Sequence, residues 1–371
     1  MVRILEEKIE RVREKLPERE CDTFLIMVEE NRRYLSGFTG EDTQCDESAG
    51  VLLINREQMI LATDSRYEVQ AEKEAPLFEI VCYKKGLAKE LPSILKRLNT
   101  KRLGFESVRL SYHEYQKISE NLKQQGLEVE LVPTEDVVES LRVVKTAPEV
   151  EALKAALRMA ESVFSELAPT FRAGMTEKQV AWEMEKRMRD IGADSLSFPV
   201  IVASGPNSAL PHAIPGEREL RDGEPVLFDW GVRLNGYCSD ISRTIVLGRA
   251  DLKFKSVFKT VLEAQQKAIE TMRPGMTGKE VDQVARSYID STEFKNKFGH
   301  GLGHGTGLSV HEAPRLSPIR EDRLIEGMVF TVEPGIYLPE WGGVRLENMV
   351  VMREDGAEIL NRTDPGNFRP F

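Results

Sequence analysis

The chain has 371 residues, 41% of them hydrophobic and 30% charged, with a formal net charge of −10. That length favours two domains over one. The negative balance argues against nucleic acid or an anionic membrane as the main partner, and no apolar run approaches the ~20 residues of a membrane span. The first residues, MVRILEEKIERVREKL, read as an amphipathic helix and lack the uninterrupted apolar stretch of a signal peptide. Cys21, Cys45, Cys82 and Cys238 are scattered without short paired spacing, the pattern of reduced thiols in a cytoplasmic protein.

After a helix over 2–16, strands are expected at 22–27, 51–55 and 59–63. A strand at RLGFE, a helix near 113–124 and a strand at LEVELV follow. This order predicts a compact α/β domain over 1–134. Thr146, Pro148 and Glu149 then supply a helix cap, a first-turn proline and a capping-box acid. A long helix should start near Pro148 and open a second domain over 146–371.

The second domain contains a duplication. RAGMTEKQV (172–180) matches RPGMTGKEV (273–281), with Thr176 and Thr277 as helix caps. PHAIP (211–215) parallels VHEAP (310–314), so His212 corresponds to His311. Each half then has an apolar strand ending in an acid, Asp229 in PVLFDWG and Glu333 in MVFTVEPG. A turn and a second acid-bearing strand come next, with Asp240 in YCSDISRTIVL and Glu347 in GVRLENMVVM. Turns near Leu234–Asn235 and Glu340 would set Asp229 opposite Asp240 and Glu333 opposite Glu347, with Cβ atoms roughly 4.5–5.5 Å apart. Like charges that close are destabilising without a cation.

Residues 300–312, HGLGHGTGLSVHE, add His300, His304 and His311. Their neighbours Gly299, Gly301, Gly303 and Gly305 weaken helix and strand alike and let the backbone pass close to something. Histidine with four carboxylates points to a metal site. Four negative charges are balanced better by two divalent cations and a hydroxide than by one cation. Singly, each residue has a plain alternative. Asp229 could be a turn residue, Asp240 could pair with Arg243, and Glu347 with Arg345 or Arg353. Trp230 and Cys238 read as core, and Glu41 and Asp42 as solvated loop charges. The joint order of the acids and histidine inside a duplicated framework outweighs those readings.

These motifs resemble the "pita-bread" metallopeptidases: Xaa-Pro dipeptidase (prolidase), aminopeptidase P and methionine aminopeptidase. The resemblance implies an α+β fold, with a creatinase/aminopeptidase catalytic domain built on an internal pseudo-twofold repeat behind a smaller α/β N-terminal domain. The family's ligands run Asp, Asp, His, Glu, Glu. They match Asp229 in FDWG, Asp240 in YCSDISRT, His304 in GHGTGL, Glu333 in TVEPG and Glu347 in RLEN. The resemblance implies two divalent ions per chain, Mn²⁺ first, with Co²⁺, Fe²⁺ or Zn²⁺ also compatible with such ligands. Asp229 would hold one ion, His304 with Glu333 the other, and Asp240 and Glu347 both.

The implied chemistry is hydrolysis of the peptide bond preceding proline, on an Xaa-Pro dipeptide or, alternatively, on longer peptides as in aminopeptidase P. Glu333 would also be the general base. His311 would donate a hydrogen bond to the developing oxyanion, and His212 would position the substrate or relay a proton to the proline nitrogen. His300, Tyr337 and Arg345 complete the expected substrate contacts, Arg345 also orienting a carboxylate. A non-catalytic binding protein on this fold would be expected to have lost a ligand, and none is lost. YLSGFTG (34–40) and TDSRYEVQA (from 64) resemble the N-terminal domain of the proline-specific members, which methionine aminopeptidases lack. A homodimer is implied through that domain. The loop Gly40–Ser48, with Glu41, Asp42, Asp46 and Glu47, would then be placed to reach a neighbouring active site.

Overall fold

The computed structural model describes residues 2–42, 44, 47–363 and 366. The chain divides between Leu141 and Arg142 into two units.

The first unit opens with the helix Val2–Glu18 and is built on one six-stranded mixed sheet. Its spatial order is Glu79–Cys82, Met59–Thr63, Val51–Asn55, Thr23–Ile26, Arg102–Glu106, Glu130–Thr134. TFLI, VLLIN and MILAT are buried along almost their whole length, as continuous apolar strands are when both faces are covered. The helices Glu29–Ser36, Glu68–Glu74 and Leu87–Arg97 were not legible in the sequence. The first buries a polar face that includes Asn31, Arg32 and Ser36, so apolar periodicity is missing. The last carries Pro92, a residue that ordinarily ends a helix.

The acidic loop departs from expectation. Asp42 faces inward, accepting from Arg32 at 2.8 and 2.9 Å, from Arg109 at 3.2 Å and from the Ala49 N–H at 2.8 Å. These donors outweigh burial and hold its carboxyl below the usual range. It is an internal tie rather than a solvated or reaching charge. Asp46 and Cys45 lie outside the described residues.

The second unit is a true repeat. Helices Ala147–Leu167 and Glu177–Asp190 serve the first half, Leu252–Thr271 and Gly278–Asp290 the second. Glu149 accepts from the Thr146 N–H and hydroxyl, both at 2.8 Å, closing the expected capping box. Thr176 and Thr277 cap their helices by accepting from the Gln179 and Glu280 N–H groups. Leu220 and Leu324 donate to Met175 and Met276 at the same 2.8 Å. Each half backs its sheet with its own apolar core, Leu157, Phe164, Met184 and Phe228 in one, Val261, Val281, Ile289 and Phe330 in the other.

Backbone contacts stitch the halves together. The Glu347 N–H donates to Ser242 O at 3.1 Å, and the Arg345 N–H to Thr244 Oγ1 at 3.1 Å. This brings the strand Ile241–Val246 beside the segment carrying Glu347.

One register expectation needs correction. The first hairpin turns at Asn235–Gly236, with φ of 51° and 84°. Leu234 therefore pairs with Tyr237, and Asp229 with Ser242. Asp240 sits two residues along on the same face, diagonal to Asp229 rather than opposite. Such diagonal neighbours are about 7–8 Å apart. In the second hairpin Val332 pairs with Asn348 and Gly335 with Arg345, so the flanking register sets Glu333 across from Glu347 as expected.

Candidate metal centre

The acids converge because four strand ends meet. Asp240 leads into Ile241–Val246, Asp229 is next to last in Pro225–Trp230, and Glu333 and Glu347 flank Val329–Val332 and Asn348–Arg353. His304 lies on the short strand Gly303–Gly305. A Cβ at Gly303 would fall 2.0 Å from Thr331 O, and one at Gly305 2.0 Å from Ala313 O. Only glycine lets this strand slide between its neighbours and carry His304 inward.

The His304 Nδ1 lies 3.2 Å from Gly305 O, which can only accept. Nδ1 therefore carries the proton, and in the neutral ring Nε2 turns its lone pair inward. It lies 3.3 Å from Glu333 Oε1 and 3.5 Å from Asp240 Oδ2. Donor atoms of Asp240, His304 and Glu347 all lie within 4.8 Å of one another. Burial pushes the His304 ring down to about 3, so it stays neutral. Burial and then mutual repulsion push Asp240 and Glu347 well above the usual carboxylate range, and Glu333 to about 7. A buried group of this kind is stable as carboxylates only with positive charge among them.

Arg345 supplies some of that charge. It is 2% exposed, and its guanidinium donates to Asp229 Oδ2 at 2.5 Å, Ser242 Oγ at 2.9 Å and Tyr337 Oη at 3.0 Å. His300 Nδ1 donates to Gly301 O, so its Nε2 accepts the Tyr337 hydroxyl proton at 2.8 Å. With both ring nitrogens engaged, His300 holds Tyr337 and through it Arg345. Tyr337 is absent from the cavity wall, contrary to its expected place as a substrate contact. Arg345 lines the cavity, but its donors are engaged by Asp229, Ser242, Tyr337 and the Pro211 carbonyl.

All five expected ligands line one cavity of about 830 Å³, together with His212, His300 and His311. The His311 ring stands edge-on to His304 with centroids 4.3 Å apart. The lining residues not expected from the sequence include Arg315 and Arg320. Both are exposed, and among the described residues no carboxylate pairs with either. The available signal was an arginine four positions beyond His311.

Residues 151–354 match the model of metallopeptidase family M24, and residues 8–144 the creatinase/prolidase N-terminal domain. The chain belongs to metallopeptidase family M24. An Xaa-Pro dipeptidase of Pyrococcus furiosus is 36% identical across 97% of this chain and 99% of its own length. The structure of an Xaa-Pro dipeptidase from Bacillus anthracis superposes with a TM-score of 0.91 at 39% identity, covering 97% of this chain and 98% of that one. An X-Pro aminopeptidase from Thermotoga maritima gives 0.84 at 38%, covering 93% and 97%.

An M24 metallopeptidase works with divalent metal ions, and the residues here fit them. The donor set is mostly oxygen with one imidazole nitrogen, as such cations require. Asp229 Oδ1 is buried with no hydrogen-bond partner, an orphan that a cation would satisfy.

Proposed function

We propose that the protein is a metal-dependent peptidase that cleaves Xaa-Pro dipeptides, its metals held by Asp229, Asp240, His304, Glu333 and Glu347. The observation that carries the substrate reading is the pair of uncommitted arginines on the cavity wall, Arg315 and Arg320. A dipeptide presents a carboxylate one residue from the scissile bond, and a guanidinium is the natural partner for it. The names borne by the Pyrococcus and Bacillus relatives support the same substrate class.

Two divalent ions, manganese in this reading, would supply an acidified water and a polarised scissile carbonyl. Glu333 would serve as the general base toward the attacking water, its proton passing by way of His212 to the leaving nitrogen. His311, exposed at the cavity and beside His304, donates a hydrogen bond to the oxyanion. His212 orients the substrate and carries a proton to the proline nitrogen, a tertiary amide with no N–H of its own. Arg345 keeps Asp229 in place. The Thermotoga relative favours a second reading, aminopeptidase action on longer chains. A homodimer, formed through the first unit, belongs to the same proposal.

The test compares an Xaa-Pro dipeptide with an Xaa-Pro tripeptide, with Mn²⁺ supplied. Faster turnover of the dipeptide is expected. Arg315→Ala should raise KM for the dipeptide about 10- to 100-fold, the worth of a charged hydrogen bond. A preferred tripeptide with an unchanged KM in the variant would establish the aminopeptidase reading instead.

A further inference from the structure

Beside the cavity wall lies a second cluster of buried charge, made by Glu312, Arg142 and Lys145. Their side chains are 8%, 6% and 2% exposed. The Glu312 carboxylate accepts from Arg142 Nη2, from Lys145 Nζ at 3.1 Å and from the Ser309 N–H at 2.9 Å. Although burial opposes its ionisation, the two cations and the N–H hold it below the usual carboxylate range.

This carboxylate fills the loop that joins Gly303–Gly305 to Glu312–Leu316. A Cβ at Gly307 would fall 2.6 Å from Glu312 Oε2, so the loop closes on the carboxylate directly. The Thr306 hydroxyl donates to Val310 O at 3.1 Å, and the Gly307 N–H to Ser309 O at 3.0 Å. Thr306, Gly307, Ser309 and Val310 are thereby tied to one another, Ser309 directly to Glu312, and the same loop carries His311.

The repeat shows that the fold does not require this arrangement. The matching position in the first half, after His212, is Ala213. A buried ion cluster is also weak evidence for stability, because desolvating its members offsets most of their attraction. The cluster therefore calls for another reason to be present, and the histidine it sits under provides one.

We propose that Glu312, held by Arg142 and Lys145, is a positioning residue that fixes His311 against His304 and the substrate. It touches no reacting atom and acts only through His311, so the inference rests on the role given to His311 above.

The experiment is a double-mutant cycle on the metal-loaded full chain with an Xaa-Pro dipeptide. Glu312→Gln should lower kcat about tenfold with KM and metal content little changed, since a displaced donor costs part of the 10² to 10³ that a lost one costs. In a His311→Ala background the same substitution should lower kcat no further. Lys145→Met should repeat the result of Glu312→Gln, and Lys145→Arg should restore most of the turnover. The Lys145 pair keeps the test open if the Glu312 variant does not fold. An equal loss with and without His311 would show that the cluster only supports the fold, and would overturn the inference while leaving the role of His311 standing. Wild-type turnover in His311→Ala would remove that role and the inference with it.

Discussion

Asp240 concentrates the electrostatic problem of the site in one residue. It is 4% exposed, lies 3.5 Å from His304 Nε2, and feels the charges of Glu347, Asp229 and Glu333. Its donor atom lies within 4.8 Å of those of His304 and Glu347, so losing Asp240 opens that cluster. Asp240→Ala should lose most of the bound metal, measured by elemental analysis of protein dialysed against a metal-buffered solution. Retention of full metal content would place the centre elsewhere in the cavity. His311→Ala should behave differently, arriving with nearly normal metal while turnover falls on the order of 10²- to 10³-fold. His304 rather than His311 is the proposed ligand because its Nδ1–H is pinned to Gly305 O, which leaves Nε2 facing the carboxylates.

At the scale of elements, legibility followed the kind of signal. Thr176 and Thr277, each three residues before an amide-bearing or acidic side chain, announced helices that the structure begins at Glu177 and Gly278. The strands buried on both faces were readable from their unbroken apolar runs. The hairpin register of Asp229 was misplaced by two residues, although Asn235–Gly236 is the strongest short signal for a tight turn. The helix Glu29–Ser36 was invisible because its inward face satisfies Arg32 by an ion pair to Asp42, a contact ten residues away that no local pattern encodes. The support chain from His300 through Tyr337 to Arg345 was hidden for the same reason: its members were visible, its hydrogen bonds were not. The repeated caps make a quantitative prediction. Thr277→Ala should cost about 1 kcal/mol of stability in urea unfolding, and Thr176→Ala a similar amount, with kcat unaffected by either. A much larger cost at Thr277 would mean that the cap also supports the segment near His300, to which Arg286 of the same helix donates.

On the scale of the whole molecule, two units with separate cores should answer pH in opposite directions. In the first unit Glu106 is 4% exposed and accepts from the Met27 and Val28 N–H groups and from Asn31 Nδ2. Burial, reinforced by the Glu139 charge, raises its carboxyl from an ordinary 4.5 to about 7. A carboxyl with a raised folded value binds its proton more tightly when folded. Its stabilisation is therefore complete below about pH 4.5 and is lost as pH rises through 7, amounting to on the order of 3 kcal/mol. In the second unit, metal binding needs deprotonated ligands, so the loaded site contributes more as pH rises. Hydrogen exchange at pH 5 and pH 7.5, corrected for intrinsic rates, should show Val51–Thr63 better protected at the lower pH and Val329–Val332 better protected at the higher. Glu106→Gln should flatten the first trend alone, and a chelator the second alone. If the chelator changed protection equally in both units, the two cores would be one cooperative body, and the separate pH responses would not survive.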